Sequence, residues 1–232
     1  MKKFILVLIL VFLVFISACK TQTKDLEEMK NYLTTEDSVK IAYNFQKADS
    51  SKGVILIHML GRDKSTWNNF ISKLKDYNVI AIDLRGHGSS DLNYNSFSDS
   101  DYNNMIKDVK AAKLFLKEKG INQIAIIGAS IGANTALNYA VTDSDIKTVV
   151  LLSPGLEYHG VKTSDSIKKL KVPVLIVVSQ EDSYAYQSSV ELNNKAISKK
   201  ELKVYNNKGH GTNMFSGTDL NKVILDWLAS NF

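Results

Sequence analysis

Residues 124–140 read IAIIGASIGANTALNYA. A short apolar run ends in Gly128-Ala129-Ser130-Ile131-Gly132, and helix-favouring residues follow at once. The run suits a buried strand and the continuation a helix, so the chain must change direction within a few small residues. Two readings of Ser130 compete. In one, the small residues only let a helix pack close to a strand, and Ser130 caps the helix. In the other, the sharp turn lifts the serine hydroxyl clear of the backbone, where the helix dipole favours developing negative charge. Serine is a poor nucleophile unless a base takes its proton, so the rest of the chain must supply the partners.

Working outward, four similar runs appear: GVILIHML (53–60), YNVIAIDL (77–84), KTVVLLSP (147–154) and VPVLIVVS (172–179). Such Val- and Ile-rich runs suit parallel strands buried on both faces. Helical patterns lie between them at 65–75, 102–119, 131–141 and, more weakly, 188–198. Strand–helix alternation predicts an α/β fold, a doubly wound, mostly parallel sheet with helices on both faces. The segment TTEDSVKIAYNFQKAD (34–49) reads as a leading antiparallel hairpin, LKVY (202–205) as a last strand and residues 217–232 as a closing amphipathic helix. Only residues 154–171 separate the strand ending at Ser153 from the one beginning near Val172, enough for a loop and a short helix, a minimal lid.

Ligands of such sheets bind beyond the carboxyl ends of the strands. In a nucleophile-elbow arrangement the acid and then the histidine follow the serine along the chain. Of the four histidines, His58 and His87 precede Ser130. His159 leaves little room for an acid loop before it. His210 lies after the last strand in the Gly-rich NNKGHGTNMF. The acid should follow VPVLIVVS, where both Glu181 and Asp182 stand.

Five segments together resemble the α/β-hydrolase superfamily over residues 32–232. They are LIHMLGRDKSTW, AIDLRGHGSS, GASIGA, VVSQED and GHG. The resemblance implies Ser130 as nucleophile, Asp182 rather than Glu181 as acid, and His210 as base. It implies an oxyanion hole built from the backbone N–H groups of Leu60 and Ile131. Asp83, Arg85 and His87 then fix a loop, and His58 holds the oxyanion-loop backbone. Two departures stand out. Met59 occupies a position where the family usually has glycine after the histidine, and Ser179 stands where glycine is common. The implied activity is hydrolysis of a small-molecule carboxylic ester through an acyl-enzyme. Acyl transfer, thioester or peptide cleavage, and a non-catalytic binding protein on the same fold are the alternatives.

The chain opens MKKFILVLILVFLVFISAC, with two lysines, a thirteen-residue apolar run from Phe4 to Ile16, and two small residues before Cys19, the only cysteine. This is the layout of a secretory signal peptide. ISAC resembles a bacterial lipobox, which implies diacylglycerol on the Cys19 thiol, then cleavage before Cys19, and membrane anchoring in the cell envelope. Residues 1–18 are thus read as leader, 19–31 as polar tether and 32–232 as the domain. One cysteine excludes an intramolecular disulfide. The net charge of +5 is scattered lysine with only two arginines, Arg62 and Arg85, and no basic stripe interleaved with aromatics. Nucleic acid is therefore not expected as a partner. No histidine pair has metal-ligand spacing, so neither metal nor cofactor is expected.

Overall fold

Strand β5 (Gln123–Ala129) lies inside an eight-stranded sheet of order β1-β2-β4-β3-β5-β6-β9-β10. The other strands of that sheet are β1 (Asn31–Thr34), β2 (Lys40–Gln46), β3 (Lys52–Ile57), β4 (Asn78–Ile82), β6 (Ile146–Leu152), β9 (Val174–Ser179) and β10 (Lys200–Tyr205). The intervening β7 (Glu157–Tyr158) and β8 (Val161–Lys162) form a separate two-stranded hairpin. The computed structural model describes residues 31–232. The proposed leader, Cys19 and the tether up to residue 30 lie outside the described residues. All pairings from β4 to β10 are parallel, and β2 joins antiparallel to β4. This is the α/β-hydrolase architecture expected from the sequence.

Alternation along each strand feeds two cores. Ile55, Ile57, Ile124, Ile126, Val149 and Leu151 enter one. Their neighbours Val54, Leu56, Ala125, Ile127, Val150 and Leu152 enter the other. Each fully buried aliphatic side chain contributes about 2 kcal/mol, so strands buried on both faces hold the sheet twice over.

The helices are α1 (Asn68–Ile71), α2 (Asp99–Asn103), α3 (Met105–Glu118), α4 (Ile131–Ala140), α5 (Ser164–Lys169), α6 (Ser183–Lys195) and α7 (Leu220–Asn231). Helix α3 packs through Met105, Val109, Ala112 and Leu116, and α4 through Ala133, Ala136, Leu137 and Ala140, both into the first core. Helix α7 covers the second core with Leu220, Ile224, Trp227 and Leu228. These stripes follow the i, i+3/i+4 helical spacing.

Three helices depart from the sequence reading. The 65–75 helix is a 3₁₀ turn (Lys64–Trp67) followed by the short α1. The 102–119 helix is preceded by the separate α2, whose start is fixed where the Asp101 carboxylate accepts the Ser98 N–H at 2.8 Å. The weak helix near 188–198 begins earlier, at Ser183. Its buried face is Ala185, Ser188, Ser189 and Leu192, in which two serines interrupt the apolar stripe.

Candidate active site

Between β5 and α4 the chain turns within one residue. Ser130 has φ 55° and ψ −123°, a backbone conformation that L-residues rarely adopt. Such strain costs on the order of 1–3 kcal/mol and persists only when its surroundings enforce it. Here the Ser130 N–H donates to Leu152 O at 2.8 Å, and its carbonyl accepts from Ala133 N at 2.8 Å and Asn134 N at 3.1 Å. The flanking glycines are required by contact. A Cβ on Gly128 would overlap the Gly132 carbonyl and come within 2.8 Å of Ala133 Cα. A Cβ on Gly132 would overlap the His58 carbonyl and lie 2.7 Å from Ile57 O. The start of α4 is therefore pressed against the end of β3.

Asp182 follows β9 and His210 follows β10, and the structure brings the two together. The Asp182 Oδ2 to His210 Nδ1 distance is 2.6 Å. A proton on Nδ1 in this bond leaves Nε2 as the acceptor. Glu181 does something different. Its carboxylate accepts the Ser179 hydroxyl and the N–H groups of Asn207 and Gly209 at 2.6–2.7 Å, tying down the loop that carries His210. The Ser179 hydrogen bond leads in holding the Glu181 carboxyl down at about 2. Ser179 in turn accepts Lys208 N at 2.9 Å, so the unexpected serine has a use for its hydroxyl. On the far side of His210, the Gly211 N–H donates to Ser153 Oγ at 2.9 Å.

His58 is fully buried. Its Nε2 accepts the Leu84 N–H at 2.9 Å, so Nδ1 carries the proton and donates to Met59 O at 2.7 Å. Burial pushes His58 down to about 4. The imidazole therefore stays neutral and fixes the backbone leading to Leu60. Among the described residues neither the Leu60 nor the Ile131 N–H meets a protein acceptor. Met59 is itself buried and packs under the histidine loop: a Cβ on Gly211 would overlap Met59 Sδ. The Met59 side chain thus links the loop after β3 to the segment after His210.

The remaining sequence candidates make contacts of their own. Asp83 pairs with Lys64 at 2.7 Å and accepts Ser89 N at 2.8 Å. Arg85 bridges Asp108 and Asp37. His87 stacks on Tyr94 with ring centroids 4.3 Å apart. His159 is exposed and stacks on Tyr102. Among the described residues no group of three His, Cys, Asp or Glu side chains could hold a metal.

One neighbour of the site was not anticipated. Tyr158, on the β7–β8 hairpin, turns its ring edge-on to His210 at 6.3 Å between centroids, and its hydroxyl lies beside that of Ser130. The hairpin is pinned by Asn134 of α4, which donates to Val161 O at 2.8 Å and accepts Gly155 N at 3.0 Å. Asn138 adds a bond to Lys162 O at 3.0 Å. Two-residue strands leave no period in the sequence, so this segment reads only as loop.

The sequence profile of the α/β-hydrolase fold family matches residues 53–161. An uncharacterised protein of Mycobacterium tuberculosis is 33% identical over 113 residues, 48% of this chain and 31% of that protein. The 2-hydroxy-6-oxo-6-phenylhexa-2,4-dienoate hydrolase of Comamonas testosteroni is 24% identical over 129 residues, 53% of this chain and 43% of that enzyme. The chain thus spans less than half the length of these curated relatives. Among solved structures, an esterase of Pyrococcus furiosus superposes with a TM-score of 0.75 at 21% identity, covering 87% of this chain and 91% of that one. That likeness is one of fold.

Proposed function

We propose that the protein is a serine hydrolase that cleaves carboxylic esters through an acyl-enzyme. The observation that carries this reading is the 2.6 Å Asp182–His210 contact in the same strand-end cluster as a serine held at φ 55°. His210 Nε2 takes the Ser130 proton as Oγ attacks the ester carbonyl. Asp182 holds the imidazole tautomer and stabilises the imidazolium that forms. The tetrahedral oxyanion is received by the N–H groups of Leu60 and Ile131, which are backbone donors and so tolerate Met59 in the loop. His210 then passes its proton to the leaving alcohol, and water attacks the acyl-enzyme with His210 again as base. The short 154–163 connection before α5 supports a shallow acyl site and a preference for short acyl chains, since each buried methylene is worth about 0.8 kcal/mol.

The test is covalent labelling by a fluorophosphonate together with turnover of p-nitrophenyl acetate. Both should be lost in Ser130→Ala. Wild-type turnover in that variant, or a wild-type protein that neither labels nor turns over, would remove the reading.

The proposal extends to location. The signal-like leader and the lipobox-like ISAC support a diacylglycerol group on the Cys19 thiol and anchoring to a membrane of the cell envelope. Cys19→Ser should move the protein from the membrane to the soluble fraction. Mass spectrometry that finds an unmodified Cys19 on the mature protein would refute it.

A further inference from the structure

The order of the sheet assigns sides to the site. β3, which leads to Leu60, neighbours β5 on one edge, while β6, β9 and β10 follow in turn on the other. The proposed oxyanion donor Leu60 therefore stands on one flank of Ser130. Ser153, Tyr158, Asp182 and His210, which all follow β6, β9 or β10, stand on the opposite flank. The base that protonates the leaving oxygen must reach it, so the alcohol portion of an ester has to lie on the His210 flank. Tyr158 already stands there. Its ring is edge-on to His210, its hydroxyl adjoins that of Ser130 and donates to Ser153 O at 3.3 Å, and its ring rests on Gly155, where any Cβ would meet it at 2.7 Å.

The ring is held in place rather than free to swing. It packs at a right angle-like tilt of 67° on Tyr184, whose hydroxyl donates to Glu157 O at 2.8 Å and accepts Glu157 N at 3.0 Å. With Asn134 and Asn138 on the other side, the hairpin is fastened to both α4 and α6. A bulky alcohol would have to displace a ring whose backbone is tethered on two sides.

We propose that Tyr158 is the specificity-determining residue for the alcohol portion of the substrate: its ring narrows the leaving-group side of the site and leaves the acyl side untouched. The proposal rests on the ester-hydrolase reading. It confines selection by this residue to small alcohols such as methanol or ethanol.

The experiment compares two ratios of kcat/KM within each purified full-length variant, so that a loss of folded fraction cancels. The alcohol ratio is benzyl acetate over methyl acetate, and the acyl ratio is methyl octanoate over methyl acetate. Tyr158→Ala should raise the alcohol ratio by roughly tenfold, the scale of steric discrimination in a pocket, and leave the acyl ratio unchanged. Tyr158→Phe, which keeps the ring, should retain the wild-type alcohol ratio. An unchanged alcohol ratio in Tyr158→Ala, a change confined to the acyl ratio, or a Phe variant that behaves like Ala would each overturn the proposal while wild-type turnover still depends on Ser130. Turnover that survives Ser130→Ala would bring down the hydrolase reading and this proposal with it.

Discussion

Replacing Gly211 with alanine tests whether Met59 holds the loops after β3 and β10 in register. Gly211 has φ 58°, so any L-residue there costs about 1–2 kcal/mol. The new Cβ would overlap Met59 Sδ, approach its Cγ to 3.0 Å and sit 3.4 Å from Ala129 Cβ. Met59 is buried, so relief requires repacking, which costs about 1–3 kcal/mol. The total is about 2–5 kcal/mol. Gly120→Ala is the control, because Gly120 has φ 78° but nothing within 4 Å of an added Cβ, and it should cost only the backbone part. In a Met59→Ala background the overlap disappears, so urea unfolding of the two singles and the double should give a coupling of about 1–3 kcal/mol. Ester turnover should fall on the order of a hundredfold in Gly211→Ala, since a displacement near 1 Å next to His210 is enough for that. A Gly211→Ala variant no less stable than Gly120→Ala, or strict additivity in the double variant, would refute the reasoning.

Asp182→Asn should lower kcat by about ten-thousandfold by replacing the carboxylate acceptor that fixes the His210 tautomer with a neutral amide that can also donate. Glu181→Gln, which loosens the loop but leaves that acceptor, should cost far less; equal losses would reassign the acid. His58 is held down at about 4 by burial against an ordinary 6.5, so the unfolded chain takes up a proton first as pH falls. Stability should therefore drop by about 3 kcal/mol between pH 6.5 and 4, and chemical denaturation of His58→Gln should show a flatter profile over that window. Ser130→Gly should abolish turnover yet raise the stability of the fold by about 1 kcal/mol, because glycine accepts φ 55° without strain; a lower melting temperature would argue against stored strain at the elbow.

The sheet was legible because its strands are buried on both faces and so appear as unbroken Val and Ile runs. The order of Ser130, Asp182 and His210 along the chain was legible for a related reason: each follows a strand end, and strand ends can be located. Glu181 and Asp182 could not be separated by spacing alone, since adjacent carboxylates after a strand look alike until the loop bearing Asn207 and Gly209 folds over one of them. Helix α6 was placed too late because it buries serines. Tyr158 left no signal, as its meaning comes from contacts with residues far along the chain.

Asn134 lies one turn into α4, fully buried, with both ends of its amide spent on the hairpin that carries Tyr158. A segment that would ordinarily fray as surface loop is thereby joined to the helix behind the elbow. To lift away, residues 155–161 must expose that amide or drag the helix with them, and an orphaned buried amide costs about 1–3 kcal/mol. Breathing of the hairpin and loosening of the helix belong to one cooperative unit, with free energies of opening drawn toward that of the core rather than toward zero. On the proposed hydrolase reading, the side of the site that carries Tyr158 is therefore set before substrate arrives.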